Sequence, residues 1–441
     1  MHNNVLQAAL DKRKADGLLR SRKLVSQNAD GIVTINGKPC LNFASNDYLG
    51  LSQHPDVLQS YAEGLALYGA GSTASSVVSG YMQPHKALED ALAQMFNKEA
   101  ALLFNSGFAA NQALIHALFS QTKQSSRRTL PHSDSGVRHQ IARTDTQEHG
   151  YKGQIICDKL MHASFIEGAL HANARLSRFR HNDAAHMQKL LDAAASTQLE
   201  NPQKAEQITL LATEGVFSMD GDIAQVLTQA QNFKRSQKAD KNLMLMIDDA
   251  HGFGVIGKHG LGVCEHLNID SNQIDIIMAT FGKAIGTAGA FIAGSKALID
   301  FLINFARHYV YSTAIPPAQA HATLKSIEIM QKGIEREKLQ QNIALFKSLI
   351  AKHALPFLAS DTAIQPLIIA DSQTSQHCTQ ASEQLMEWGI YTPAIRTPTV
   401  AKGKERLRIT LSALHSGQDI QTLVDALCIL RERQNWSTNA C

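Results

Sequence analysis

The chain has 441 residues, 44% hydrophobic and 18% charged, which supplies apolar material for a large core in two or three structural units. Its net charge of +3 and the absence of long Lys/Arg runs exclude an electrostatic footprint for nucleic acid. No stretch approaches the roughly 20 apolar residues of a membrane span, and the opening MHNNVLQAALDKRKADG lacks an apolar signal core, so a cytoplasmic protein is expected.

In chain order, residues 1–48 are read as an N-terminal segment ahead of a large domain over 49–310. Leu88, Ala91, Leu92, Met95 and Phe96 recur at helical spacing, and Ala101–Phe104 is a short apolar run suited to a strand buried on both faces. Residues 121–150, QTKQSSRRTLPHSDSGVRHQIARTDTQEHG, are polar and aperiodic, which predicts a surface insertion or a disordered segment. Further strands are expected at Gln154–Cys157, Thr209–Thr213, Leu243–Ile247, Ile274–Met278 and Ala290–Ala293. Pro316-Pro317 then breaks the chain. A helical pattern over 318–352, strands at Ile364–Ile369 and Leu407–Leu411 and a final helix over Ile420–Arg431 predict a smaller α+β domain over 311–441. Strands alternating with helices predict an α/β fold with a mostly parallel, doubly wound sheet. In such sheets ligands collect beyond the carboxyl ends of the strands. The six cysteines (40, 157, 264, 378, 428, 441) are scattered without a C-x-x-C pair, which predicts buried free thiols and no metal site.

Gly252-Phe-Gly254-Val-Ile-Gly257 follows one of these strands and has the G-x-G-x-x-G spelling of a dinucleotide loop. Such a loop needs a helix opening at its last glycine. Here KHGLG follows, and each added glycine costs a helix about 1 kcal/mol relative to alanine. The glycines are therefore read as a turn passing close to the strand end, although Asp270 or Asp275 stands where a ribose-binding acid would.

That strand end carries Asp248-Asp249-Ala250-His251. A buried carboxylate needs a cationic partner. Asp248 can equally cap a turn or pair with a nearby arginine. The next strand ends in ATFGKAIG, which sets Lys283 among small residues at a neighbouring carboxyl end. A desolvated lysine has a lowered pKa and forms Schiff bases. A lysine and an acid on successive strands suit pyridoxal 5'-phosphate (PLP), the lysine to hold it and the acid to keep its pyridine nitrogen protonated. A solvated surface lysine is the alternative. Asn105-Ser106-Gly107-Phe108 follows a strand and opens a helix, so free N–H groups there can bind a phosphate, with Thr280 adding a hydroxyl.

Taken together these motifs resemble the α-oxoamine synthases, a family of fold-type I PLP enzymes. The matching stretches are LNFASNDYLGLS (41–52), LLFNSGFAANQA (102–113), ATEGVFSMDGD (212–222), MIDDAHGFGVIG (246–257), ATFGKAIGTAGA (279–290), FARHYVYST (305–313), AIRTPTV (394–400) and ERLRITL (405–411). They run in order over nearly the whole chain. The resemblance implies a homodimeric transferase that condenses L-alanine with an acyl-CoA and releases CoA and CO2. It gives Lys283 the cofactor linkage and the proton transfers at the amino acid's α-carbon. Asp248 would face the pyridine nitrogen, and His251 with Ser218 the ring oxygen. His162, otherwise an ordinary core histidine, would lie on the ring face. Gly107, Phe108 and Thr280 would hold the phosphate, with Thr313 reaching that of the neighbouring subunit. Asn46 and Arg408 are similar to anchors for the amino acid carboxylate, and Arg20, Arg396 and Thr399 to positions facing the acyl-CoA.

TFGKAIGTAGA and Arg396 are most similar to the alanine-using branch of the family, and a cation there suits a dicarboxylic acyl group such as pimeloyl. Siblings that use glycine or serine are the alternative. Two features depart from the family's pattern: TASS at 73–76, where many relatives have a glycine-rich GGS, and the 121–150 insertion. An NAD(P)-binding oxidoreductase and a catalytically silent homologue are the competing classes. The first lacks its helix after Gly257, and the second would be expected to have lost one of Lys283, Asp248, His251 and His162.

Overall fold

The computed structural model describes residues 2–16, 18–27, 30–119, 153–200, 207–235, 242–369 and 376–434, and the 121–150 insertion lies outside them. Three short strands come first, β1 Val25–Gln27, β2 Ile32–Ile35 and β3 Lys38–Asn42. The central strands are β4 Ala100–Phe104, β5 Gly153–Asp158, β6 Arg175–Phe179, β7 Ile208–Glu214, β8 Leu243–Asp248, β9 Ile276–Thr280 and β10 Ala290–Gly294. The last four are β11 Ile364–Ile368, β12 Ile390–Tyr391, β13 Ala394–Ile395 and β14 Arg406–Thr410.

The seven central strands form one sheet in the order β4-β10-β9-β8-β7-β5-β6. Strands β5 to β9 pair in parallel, and β10 runs antiparallel to both β4 and β9. The sheet is thus mostly parallel, as its apolar runs predict. Alternate residues enter two separate cores: Ile156, Leu211, Ile247 and Ile277 pack on one face, and Ile155, Leu210, Met246 and Ile276 on the other. Helices covering both faces explain why these strands read as continuous apolar runs rather than alternating ones. Each such side chain contributes roughly 1.5–3 kcal/mol by leaving water.

Three expectations change in detail. The strand expected from Ile274 starts at Ile276, because Asp270 caps a short 3-10 turn over Ser271–Gln273. The helical pattern over 318–352 is two helices, Pro317–Lys332 and Ile334–Lys352, divided at Gly333 with φ 83°. The sequence reading omitted the edge strand β6, whose RLSRF sequence is half-exposed, and the small sheet β1-β2-β3-β12. In that sheet β3 pairs in parallel with β12, about 350 residues later in the chain. Cys40, Cys157, Cys264 and Cys378 are buried free thiols, and Cys428 is free but partly exposed. Among the described residues no helix is long and apolar enough to cross a membrane.

Just past β6, His181 ties Asp158 at the end of β5 to the loop after β7. Its Nδ1 lies 3.0 Å from Asp158 Oδ1 and its Nε2 2.9 Å from Asp222 Oδ2. Burial alone would lower its pKa, but the two carboxylates outweigh burial and raise it to about 10. The contribution to stability is therefore fully present below the ordinary value of 6.5 and is lost as pH rises through about 10. His181→Gln is expected to cost about 1–3 kcal/mol near pH 6. The difference from the parent should vanish above pH 10, as read from urea unfolding at both pH values; a difference independent of pH would refute the ion-pair account.

Candidate active site

Strands β7, β8 and β9 end side by side, with Glu214 in register with Asp248 and Asp248 with Met278. Beyond those ends lies a cavity of about 170 Å3. Seven of the residues singled out from sequence line it: Gly107, Phe108, His162, Asp248, His251, Thr280 and Lys283. Each arrives by its own element: Asp248 ends β8, Thr280 ends β9, Gly107 opens the helix Gly107–Phe119, and His162 caps the helix Ala163–His171.

Desolvation dominates the electrostatics. It lowers the pKa of Lys283 from 10.5 to about 8, with Asp248 the largest of the charges opposing it. His162 is lowered by burial and raised in part by Asp248, and His251 is driven well below its usual range by burial and by Lys283. Both imidazoles are neutral at pH 7. Asp248 Oδ2 accepts from Asn111 Nδ2 at 3.0 Å, and its Oδ1 accepts from the Ala250 amide at 3.2 Å.

A second cluster adjoins the first through Tyr48. The Tyr48 hydroxyl lies 2.7 Å from His251 Nδ1 and 3.1 Å from Asn46 Oδ1. Arg408 donates from Nε to the Ser218 carbonyl at 2.6 Å, from Nη1 to Asn46 Oδ1 at 3.1 Å, and from Nη2 to the Tyr48 hydroxyl at 3.4 Å. Asn46, Arg408, Ser218 and His251 are thus joined in one network. The remaining candidates stand apart from this cavity. Thr313 bridges to Ser75 and accepts at its carbonyl from Asn105 Nδ2 at 3.1 Å. Arg20 and Thr399 are exposed and Arg396 is half-buried, and none of the three lines the cavity.

Sequence reasoning missed Glu214, Tyr48, Asn111 and Ser164. Glu214 is buried in the cavity wall, and burial, with the charge of Asp248 next, raises its pKa well above the usual range. The signal available was an acid in ATEG at a strand end. The G-x-G-x-x-G glycines do form a turn. No helix opens at Gly257, and only the four-residue Val263–His266 follows. A Cβ on Gly252 or Gly262 would overlap the carboxylate of Asp249, which accepts from the Val263 amide at 2.7 Å. These glycines make room for an acid rather than for a pyrophosphate.

The chain belongs to the aminotransferase class I and II family, whose model matches residues 38–126 and 135–427. It is 39% identical to an 8-amino-7-oxononanoate synthase of Stutzerimonas stutzeri over 423 residues, 96% of this chain and 95% of that one. Within the class, then, it is a member of the 8-amino-7-oxononanoate synthase family, PLP-dependent acyltransferases. Among solved structures, a serine palmitoyltransferase with PLP superposes with TM-score 0.80 at 25% identity over 98% of each chain. An 8-amino-7-oxononanoate synthase of Francisella tularensis superposes with TM-score 0.66 at 26% identity, over 89% of this chain and 98% of that one.

The residues present fit the cofactor. Thr280 Oγ1 is buried without a partner, beside a helix whose first N–H groups precede any intrahelical acceptor, as a phosphate would require. A Cβ on Gly107 would come within 2.6 Å of Thr280 Cγ2 and close that corner. Lys283 is a desolvated amine facing an anion from the adjoining strand, the pair that an aldehyde and a pyridine nitrogen call for.

Proposed function

We propose that the chain catalyses the decarboxylative condensation of L-alanine with a pimeloyl thioester, on CoA or on a carrier protein, giving 8-amino-7-oxononanoate, CO2 and the free thiol, a step of biotin biosynthesis. The observation that carries this reading is the convergence of Lys283, Asp248 and His162 on one cavity in a chain of this family. PLP, when bound, supplies the electron sink that makes the α-carbon of an amino acid acidic. Lys283, with its lowered pKa, holds the cofactor and moves the proton at that carbon. Asp248 would face the pyridine nitrogen and favour its protonated form, and His162 would lie against the ring and exclude water. His251 and Ser218 would bond the ring oxygen, and Gly107, Phe108 and Thr280 would hold the phosphate.

In this reading Arg408 and Asn46 fix the alanine carboxylate, supported by the hydrogen bonds that already orient the guanidinium. Arg20, Arg396 and Thr399 face the acyl-CoA, with Arg396 matched to the distal carboxylate of pimelate. The working form is a homodimer in which Thr313 reaches the partner's phosphate site, and it acts in the cytoplasm. The deciding experiment is thiol release by PLP-loaded protein with L-alanine, glycine or L-serine, each paired with pimeloyl-, succinyl- and acetyl-CoA. Release confined to L-alanine with pimeloyl-CoA is expected. Glycine with acetyl-CoA as the best pair would move the chain to a sibling activity.

A further inference from the structure

Outside the residues assigned above, one chain of buried hydrogen bonds runs between two sides of the cavity. Asn111 Nδ2 donates to Asp248 Oδ2 at 3.0 Å and to Ser164 Oγ at 2.9 Å. Ser164 Oγ lies 2.8 Å from His162 Nδ1, and the Ser164 amide approaches the same nitrogen at 3.3 Å. Gln112 Nε2 donates to the Ser164 carbonyl at 2.7 Å and fixes the backbone there. Asn111 is 1% exposed and Ser164 0%, so water does not compete for these bonds.

Counting donors settles the direction of the chain. The two oxygens of Asp248 face Asn111 and the Ala250 amide, so Asn111 must turn its NH2 group toward the carboxyl, because the opposite flip would set oxygen against oxygen. The second hydrogen of that group goes to Ser164 Oγ. The hydroxyl, having accepted there, has its own hydrogen left for His162 Nδ1. Two donors, the hydroxyl and the Ser164 amide, thus point at Nδ1, which must be an acceptor. The ring proton is left on Nε2. Desolvation of the imidazole acts in the same sense by disfavouring a second proton.

We propose that Asn111 and Ser164 are positioning residues that join His162 to Asp248 and hold the ring proton of His162 on Nε2. The consequence is cooperative: the charge on Asp248 orients the amide, the amide orients the hydroxyl, and the hydroxyl fixes tautomer and ring plane together. His162 then presents an oriented ring to the cavity whatever occupies it. A histidine free to exchange tautomers would present either edge.

The functional weight of this relay rests on the PLP reading above, but its direct readout does not. In the full-length, PLP-loaded protein labelled with 15N-histidine, with the His162 signal identified by its loss in His162→Gln, the two ring nitrogens report the tautomer. The expected result is protonated Nε2 and bare Nδ1 in the parent. Ser164→Ala, which removes one oxygen, should give a mixture of tautomers, and Asn111→Leu the same, whereas Ser164→Thr should keep the parent pattern. Turnover should fall roughly ten-fold in Ser164→Ala, with KM for the acyl thioester within about two-fold, and recover in Ser164→Thr. A proton on Nδ1 in the parent would overturn the proposal, as would an unchanged Nε2 proton in both Ser164→Ala and Asn111→Leu. Should the parent show no visible absorbance of lysine-bound cofactor, the PLP reading fails while the tautomer result still decides the relay.

Discussion

Lys283→Ala is expected to abolish the visible absorbance of the lysine-bound cofactor and to lower turnover by at least about 10^4-fold, while the cofactor-free protein becomes more stable. On the proposed role of Lys283, the catalytic loss follows from the loss of both the covalent holder and the group that moves the α-proton. The gain in stability follows from desolvation. Folding lowers the pKa of Lys283 from 10.5 to about 8, so between those values the unfolded chain binds more protons than the folded one. Stability contributed by this site therefore rises with pH across that window, and the full cost of burying the amine is felt below about pH 8. Alanine removes that cost, on the order of 3 kcal/mol, and because the side chain lines an open cavity its truncation leaves no dry void. Unfolding of both cofactor-free proteins at pH 7 and pH 10.5 checks this: the variant should lead at pH 7, and the lead should shrink at the higher pH. A surviving cofactor spectrum would mean that another lysine holds PLP, and a variant less stable than the parent at pH 7 would mean that the amine is solvated or fully paired.

What could be read ahead of the structure divides along a physical line. The central strands, and the placement of Asp248, Thr280 and Lys283 just past them, were legible because a strand buried on both faces is an apolar run with an abrupt end. Any charged residue immediately beyond such an end faces the sheet's ligand side. Tyr48, Asn111 and Ser164 were not, because nothing local distinguishes them: their roles come from partners 203, 137 and 53 residues away for the Tyr48–His251, Asn111–Asp248 and Asn111–Ser164 bonds. The β3–β12 pairing was hidden for the same reason, since a two-residue strand has no periodicity of its own. The division of the helical pattern at Gly333 was visible as a glycine but not as a stop, because a glycine within an amphipathic run declares its left-handed φ only in the fold.

Asp248→Asn is expected to cut turnover roughly a thousand-fold and to lower the pKa of Lys283 further below its present value of about 8. Burial pushes the amine toward neutrality, and the Asp248 carboxylate is the largest of the charges holding it back. An amide of the same shape can turn its oxygen to Asn111 and keep the packing, but its NH2 then meets the Ala250 amide, so the change removes the charge together with that one hydrogen bond. The outcome depends on Glu214, which stands in register with Asp248 on the neighbouring strand. Its pKa is raised by burial and next by the Asp248 charge, so removing that charge makes Glu214 easier to ionise. Burial is the larger of the two causes, so the pKa of Glu214 should stay raised in the variant and Lys283 should lose its main partner. The pH dependence of PLP uptake, which requires the neutral amine, then shifts its midpoint downward. An unshifted midpoint would show that Glu214 has taken over the negative charge. In that case Asp248→Asn combined with Glu214→Gln should restore the shift, and a double variant that still titrates like the parent would rule out both acids as the partner of Lys283.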